Sequence, residues 1–201
     1  MKKIFGIIMT ALCLVGLASC ETYKVEEPDM TAVSKVDGEY VCFAYENGAA
    51  TPSTIFHVEI TNTTNNEADR IWMTITDIDP SKGYYLDAVR ADLAYDASAN
   101  SFKCTEKSVT QPRTCYNPWY EQHYYTYGYK YGNETYVINI EGSVAVNGVD
   151  TKTGYKTDGI ELKYSRKYPD GTVKNYTVKG MKNTGWGEDL VDYQSFIDEN
   201  F

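Results

Sequence analysis

The chain has 201 residues, 42% of them hydrophobic, and a formal net charge of -9. That is enough apolar sequence for one domain with a real core, and too much for a chain disordered by composition. Acidity of this degree argues against a nucleic-acid binder and disfavours simple electrostatic adhesion to an anionic membrane.

Lys2 and Lys3 precede an apolar run from Ile4 to Leu17, broken only by Gly6, Thr10 and Gly16. About fourteen residues are too few to span a bilayer, which takes roughly twenty, and suit a secretory signal. The run ends in Leu17-Ala18-Ser19-Cys20, which resembles the lipobox of bacterial lipoproteins. The resemblance implies that residues 1–19 are a signal peptide and that the Cys20 thiol carries diacylglycerol. Acyl chains gain about 0.8 kcal/mol per buried methylene, so several on one cysteine anchor a protein firmly. Glu21 follows the cysteine, and the acidic stretch Lys24 to Asp29 is similar to the export signal of surface lipoproteins in Bacteroidetes. The expected address is the outer membrane, at the cell surface, with its periplasmic face as the alternative. Residues 20–36 lack sustained periodicity and are expected to be the acylated cysteine and a flexible tether, leaving 37–201 as the domain. Without the two leader lysines the mature chain carries a charge of about -11.

From there on the pattern alternates with period two, the signature of half-buried strands. Tyr40 to Tyr45 is one apolar run. Phe56, Val58 and Ile60 alternate with Ile55, His57 and Glu59, and Ile71, Met73 and Ile75 with Trp72, Thr74 and Thr76. Further strands are expected between Tyr84 and Tyr95 and around Phe102. Later, Tyr136, Ile138, Ile140, Val144 and Val146 share a face, as do Ile160, Leu162, Tyr164 and Tyr168. Turn chemistry separates the runs at Asn47-Gly48, Lys82-Gly83, Asn147-Gly148 and Pro169-Asp170-Gly171. The last of these predicts a hairpin between Tyr168 and Thr172. Helical spacing occurs only at Glu188 to Ile197, a short helix suited to covering an open barrel end. Eight to ten strands with short connections, and no βαβ unit, predict an all-β fold, an up-and-down antiparallel barrel or a meander sandwich.

Thr157-Asp158-Gly159-Ile160-Glu161-Leu162-Lys163-Tyr164 resembles the strand opening with Asp-x-Ile-x-Phe in a family of Bacteroidetes lipoproteins. Tyr176 to Trp186, through Gly180, Thr184 and Gly185, resembles that family's strand ending in Gly-x-Arg-x-Thr-Gly and an aromatic, although Met181-Lys182-Asn183 lacks the arginine. Gly38-Glu39-Tyr40 is similar to the Gly-x-Trp that opens many calycin barrels. The family is described as "lipid-binding putative hydrolase", and the resemblance implies a calycin/lipocalin-like barrel with an internal cavity.

No catalytic residue is marked out. There is no Gly-x-Ser-x-Gly, and any nucleophile would have to use His57 or His123, the two histidines present. His57 falls on a strand surface and His123 in a tyrosine-rich stretch. Asp77-Ile78-Asp79 is an acidic strand end that would hold a hard cation weakly at best, and neither a metal nor a cofactor is expected. Of the cysteines outside the leader and Cys20, Cys42 reads as a buried small hydrophobe, while Cys104 and Cys115 are candidates for a bridge across a strand connection. The feature that stands out is Tyr116 to Tyr136, which holds eight of the nineteen tyrosines plus Trp119. Within it Tyr125, Tyr127, Tyr129 and Tyr131 alternate with smaller residues, and phenols suit a partly wet surface.

The leading expectation is therefore a membrane-anchored protein that captures a lipid or other hydrophobic small molecule in its barrel. Ile140 and Leu162 would contribute to the cavity, and Trp119 with the tyrosine ladder to its mouth. The rival is a surface lipoprotein whose exposed tyrosine face binds a glycan or a partner protein; an enzyme ranks third.

Overall fold

β-branched and aromatic residues at alternate positions favour a pleated surface with one buried face, and these segments fold accordingly. The computed structural model describes residues 30–78, 88–115 and 129–200. Its strands are β1 (Gly38–Glu46), β2 (Thr54–Asn62), β3 (Arg70–Ile78), β4 (Val89–Asp96), β5 (Ser101–Cys115), β6 (Tyr129–Asp150), β7 (Lys156–Lys167) and β8 (Val173–Lys182). Each pairs antiparallel with the next, and β8 returns to β1 from Tyr40↔Lys182 to Glu46↔Tyr176. The result is a closed, eight-stranded up-and-down barrel.

Alternation delivers the interior. Tyr40, Cys42, Val58, Ile60, Ile71, Met73, Leu93, Ile138, Ile140 and Leu162 are all essentially inaccessible to solvent and belong to one apolar cluster. Full burial of a side chain of this kind stabilises by about 1.5–3 kcal/mol. Two glycines on the same inner positions let the wall coil tightly. A Cβ on Gly180 would lie 2.2 Å from the Val41 carbonyl oxygen, and one on Gly142 2.4 Å from that of Glu161.

The two barrel ends differ. At the lower end, where β1 begins, a turn at residues 32–36 places Val33 and Val36 in the core with no exposure. The Tyr40 hydroxyl donates to the Val36 carbonyl at 2.8 Å. Two valines from the stretch expected to be tether thus plug this end.

Turn chemistry is realised unevenly. At Pro169-Asp170-Gly171 the predicted hairpin forms: Tyr168 N–H donates to the Thr172 carbonyl at 2.8 Å, and Gly171 takes φ +88°. Asn147-Gly148, expected as a turn, instead makes a bulge inside β6, because Ala145 and Val149 go on pairing with Gly159 and Thr157. Asn147 has the positive φ (52°) that Asn tolerates, and its N–H is taken by Asp158 Oδ1 at 2.9 Å. The chain reverses later, where Thr151 N–H donates to the Tyr155 carbonyl at 2.8 Å. The bulge also displaces Val146, which is 44% exposed rather than buried beside Val144.

The seam between β4 and β5 is short: only Ala94, Tyr95 and Asp96 pair, with Lys103, Phe102 and Ser101. Beyond it β5 bulges at Glu106 (φ +46°). There the Lys107 ammonium crosses to the Asp92 backbone carbonyl at 2.8 Å and to its carboxylate, which Arg70 also pairs.

The predicted helix forms as a 3-10 turn (Gly187–Leu190) and α1 (Val191–Asn200), but it covers the wall rather than an end. Phe43 on the outer face of β1 stacks on Tyr193 at 4.4 Å and meets Phe196 edge-on at 5.7 Å. Val41, Ile55 and Met181 share that outer face and are buried although they lie outside the interior cluster. Phe43 would otherwise face water, and the Tyr193 and Phe196 rings cover it.

The helix is tied down by Asp189. It accepts the Thr153 N–H at 2.9 Å and the hydroxyls of Thr153 at 3.0 Å and Thr184 at 2.8 Å. Burial pushes its pKa up, but these donors outweigh burial and hold it below the ordinary carboxylate value. Its contribution is therefore complete above the unfolded value of about 4 and is lost as pH falls through the lower folded value. Asp189→Asn should lower the melting temperature by a few degrees at neutral pH. It should also shrink the stability lost on acidification relative to the wild type, measured by thermal melts from pH 7 downward.

Candidate functional site at the barrel mouth

The upper end of the barrel gathers the ends of β3 and β7 and the starts of β2 and β8. Along β7 the inward positions run Ile160, Leu162, Tyr164 and then Arg166, so the pleat carries a guanidinium into the barrel. Arg166 is 4% exposed. Two ring faces hold it, Tyr136 at 3.7 Å and Tyr168 at 4.7 Å, and such contacts are worth about 0.5–2 kcal/mol each. Tyr136 and Tyr168 meet edge-on at 5.5 Å, and the Tyr136 hydroxyl donates to Glu134.

Next to the arginine, Phe56 packs edge-on against Tyr176 at 5.0 Å and Tyr164 at 6.1 Å, while Tyr164 and Tyr176 stack at 6.1 Å. Arg166, Tyr164, Tyr168, Tyr176, Phe56, Ile75 and Asp77 enclose a cavity of about 10 Å³. The Thr54 hydroxyl donates to Asp77 at 2.8 Å. Burial raises the pKa of Tyr164, with the nearby Arg166 charge pulling partly the other way. Burial likewise raises Tyr176, reinforced by Glu46 and Asp77. Both phenols therefore remain hydrogen-bond donors at neutral pH.

A larger hollow, about 470 Å³, lies on the outer wall of β5 to β8, lined by Lys103, Asn139, Glu141, Lys163, Ser165 and Thr177 among others. It is an open trough, lined by Ile140, Tyr164 and Tyr176 as well as by polar groups, in which Lys103 pairs with Glu141 at 3.1 Å and Asn139 with Ser165 at 3.0 Å. Size favours the trough; the mouth is distinguished by aromatic rings gathered around a buried cation.

The expected site residues fall in three places. Ile140 and Leu162 are each 1% exposed, packed in the core. Tyr129 and Tyr131 lie at the start of β6, where Tyr129 pairs with Cys115. Trp119, Tyr125 and Tyr127 lie outside the described residues, as do His123, Asp79 and Cys20. His57 sits on β2 opposite Val41 and Thr76, as its alternation requires. The Cys104–Cys115 bridge does not form: Cys104 is a free thiol. Both cysteines belong to β5, one pairing with Ile140 and the other with Tyr129, which sets them roughly 30 Å apart along an extended chain where a disulfide needs less than about 7 Å. Cys42 is buried and free, its thiol pKa pushed up by burial.

Sequence reasoning missed Arg166. The signal was present: it has the same parity as Ile160, Leu162 and Tyr164. The motif residues behind the family resemblance serve structure. Gly180 admits the β1 backbone, Asp158 pins the β6 bulge, and Thr184 holds Asp189.

Closed barrel, plugged floor and aromatic mouth together define an all-β protein of the up-and-down barrel class. The chain belongs to the family described as "lipid-binding putative hydrolase", which it matches over residues 25–187. No curated protein matches it. Among solved structures it is similar to a structural-genomics protein of unknown function from Bacteroides ovatus, with 13% identity and a TM-score of 0.39. The similarity covers 74% of this chain and 42% of that one, so the chain spans less than half of that protein's length.

Proposed function

We propose that this protein captures a lipid or another hydrophobic small molecule at the upper mouth of its barrel while held at the outer membrane by acyl chains on Cys20. The observation that carries this reading is the asymmetry of the barrel. Val33 and Val36 seal one end, and the other presents Phe56, Tyr164, Tyr168 and Tyr176 around a buried arginine. Membership of a family described as lipid-binding supports it. With Ile140 and Leu162 filling the interior, the ligand engages the mouth first and enters further only as the aromatic rim moves. The lipobox-like Leu17 to Cys20 supports the anchor, and the acidic stretch after it supports display at the cell surface.

A second reading, a glycan- or protein-binding lipoprotein, draws on one observation. The β5–β6 ladder runs on to Cys115↔Tyr129, past the last β6–β7 pair at Val137↔Lys167, and so extends a ribbon toward the tyrosine-rich segment. Solvent extraction and mass spectrometry of the purified chain decide between the two. A co-purifying amphiphile in about stoichiometric amount supports capture. Its absence, with retention on a polysaccharide array that Tyr127→Ala and Tyr129→Ala abolish, supports the second reading.

A further inference from the structure

We infer that the lower end of the barrel is seated on the bilayer that holds the acyl chains, with Tyr155, Trp186 and Val191 at the lipid interface, and that the mouth therefore opens away from that membrane. This inference rests on the anchor at Cys20, and it says which way the capturing mouth points.

Among the described residues beyond Met30, the large apolar side chains left exposed are Val146, Tyr155, Val173, Trp186 and Val191. Val173 opens β8 at the upper hairpin. The other four belong to the lower end. Single exposed hydrophobes are ordinary on a folded surface, whereas a gathering at one end marks a contact.

The strands build that gathering. At this end the β5–β6 ladder stops at Ser101↔Ser143 and the β7–β8 ladder at Gly159↔Met181, while β6 and β7 go on pairing to Asp150↔Lys156. A two-stranded ribbon thus continues beyond the wall, and Tyr155, 73% exposed, stands at its turn. Trp186, 61% exposed, belongs to the segment that Asp189 ties to the same turn through Thr153. Val191 follows at the start of α1. Tyrosine and tryptophan suit a bilayer interface, because the ring enters the acyl boundary while the O–H or N–H keeps to the wet side. Charges here are matched in pairs, Lys152 with Asp192 and Lys156 with Asp150, each at 2.6 Å. Contact can then be apolar even in an acidic chain.

The attachment point is the independent observation. Thr31 follows Cys20 by eleven positions, and the chain enters the domain at the lower end, where the Ala32 N–H donates to Asn66 Oδ1 at 2.8 Å. A segment of that length reaches at most about 40 Å. Strands of nine or ten residues, tilted as in a barrel, stand about 25 Å tall. Seating the upper end on the bilayer would draw most of that reach out along the wall, at a cost in chain entropy. Seating the lower end draws out none of it.

The test reconstitutes the exported, acylated full chain in vesicles of phosphatidylethanolamine and phosphatidylglycerol that include lipid brominated high on the acyl chain. Brominated lipid should quench tryptophan emission, and Trp186→Phe should lose that quenching with an unchanged melting temperature. In the Trp186→Phe background, Tyr155→Trp should regain it and Val173→Trp should not. Quenching of the Val173→Trp reporter, or of neither reporter while the chain floats with the vesicles, overturns the seating and leaves the anchor standing. A dimer in detergent that Trp186→Ser dissolves would give the patch to a second copy and overturn it likewise. An N-terminal fragment without acyl mass overturns the anchor, and the seating with it.

Discussion

Gly180→Val should stop the barrel from closing. Gly180 pairs with Cys42 across the β8–β1 seam, and that seam makes a ring out of a sheet. A Cβ there would sit 2.2 Å from the Val41 carbonyl oxygen and 2.6 Å from Cys42 Cα. These are backbone atoms held by the ladder, so no side-chain rotation relieves the clash. Overpacking usually costs about 1–3 kcal/mol when side chains can adjust, and here the cost should reach or exceed the top of that range. The expected result is loss of the folded barrel, or a melting temperature lowered by roughly 10 °C or more, followed by circular dichroism. Gly187→Ala is the matched control. Nothing lies within 4 Å of its added methyl, and stability should stay within about 0.5 kcal/mol of the wild type. Normal stability of Gly180→Val would show that β1 and β8 are not in register as described.

Leu162→Ala should destabilise by about 2–5 kcal/mol, lowering the melting temperature by roughly 5–15 °C. Leu162 faces Gly142 across one ladder and Val178 across the other. On the Gly142 side there is no cross-strand side chain to relax inward, so truncation leaves space that Val178 alone cannot fill. The same experiment decides what the residue is for. A large loss of stability makes Leu162 a core residue; a small loss with weakened ligand binding would make it part of a cavity.

Period-two alternation made most strands legible, because a barrel wall buries every second residue from end to end. It failed where a second physical demand met the same residues. Tyr40 to Tyr45 shows no alternation because α1 covers the outside of β1 while the core covers the inside, and pattern alone cannot distinguish the two covers. Asn147-Gly148 and Pro169-Asp170-Gly171 look alike as turn signals. Asparagine at positive φ serves a bulge as well as a turn, and only the partner strand decides which. Arg166 was hidden for the opposite reason. Alternation assigns it to the interior, but a charge there looks like an error until Tyr136 and Tyr168 are seen on either side of it. The tyrosine density was conspicuous at once, yet the tyrosines that build the mouth, Tyr164, Tyr168 and Tyr176, are scattered over the last two strands and their hairpin. Convergence of that kind belongs to topology rather than to local sequence.

Where β4 meets β5, three residue pairs and a lysine bridge carry what longer ladders carry elsewhere around the ring. Amide protons there should be the first in the wall to trade with deuterium, and thermal unrolling should begin at this joint. Because ions, not peptide links, span part of the gap, added electrolyte should loosen that joint before it affects the other seven. A cylinder with one soft stave can gape sideways without dismantling its floor or its lip.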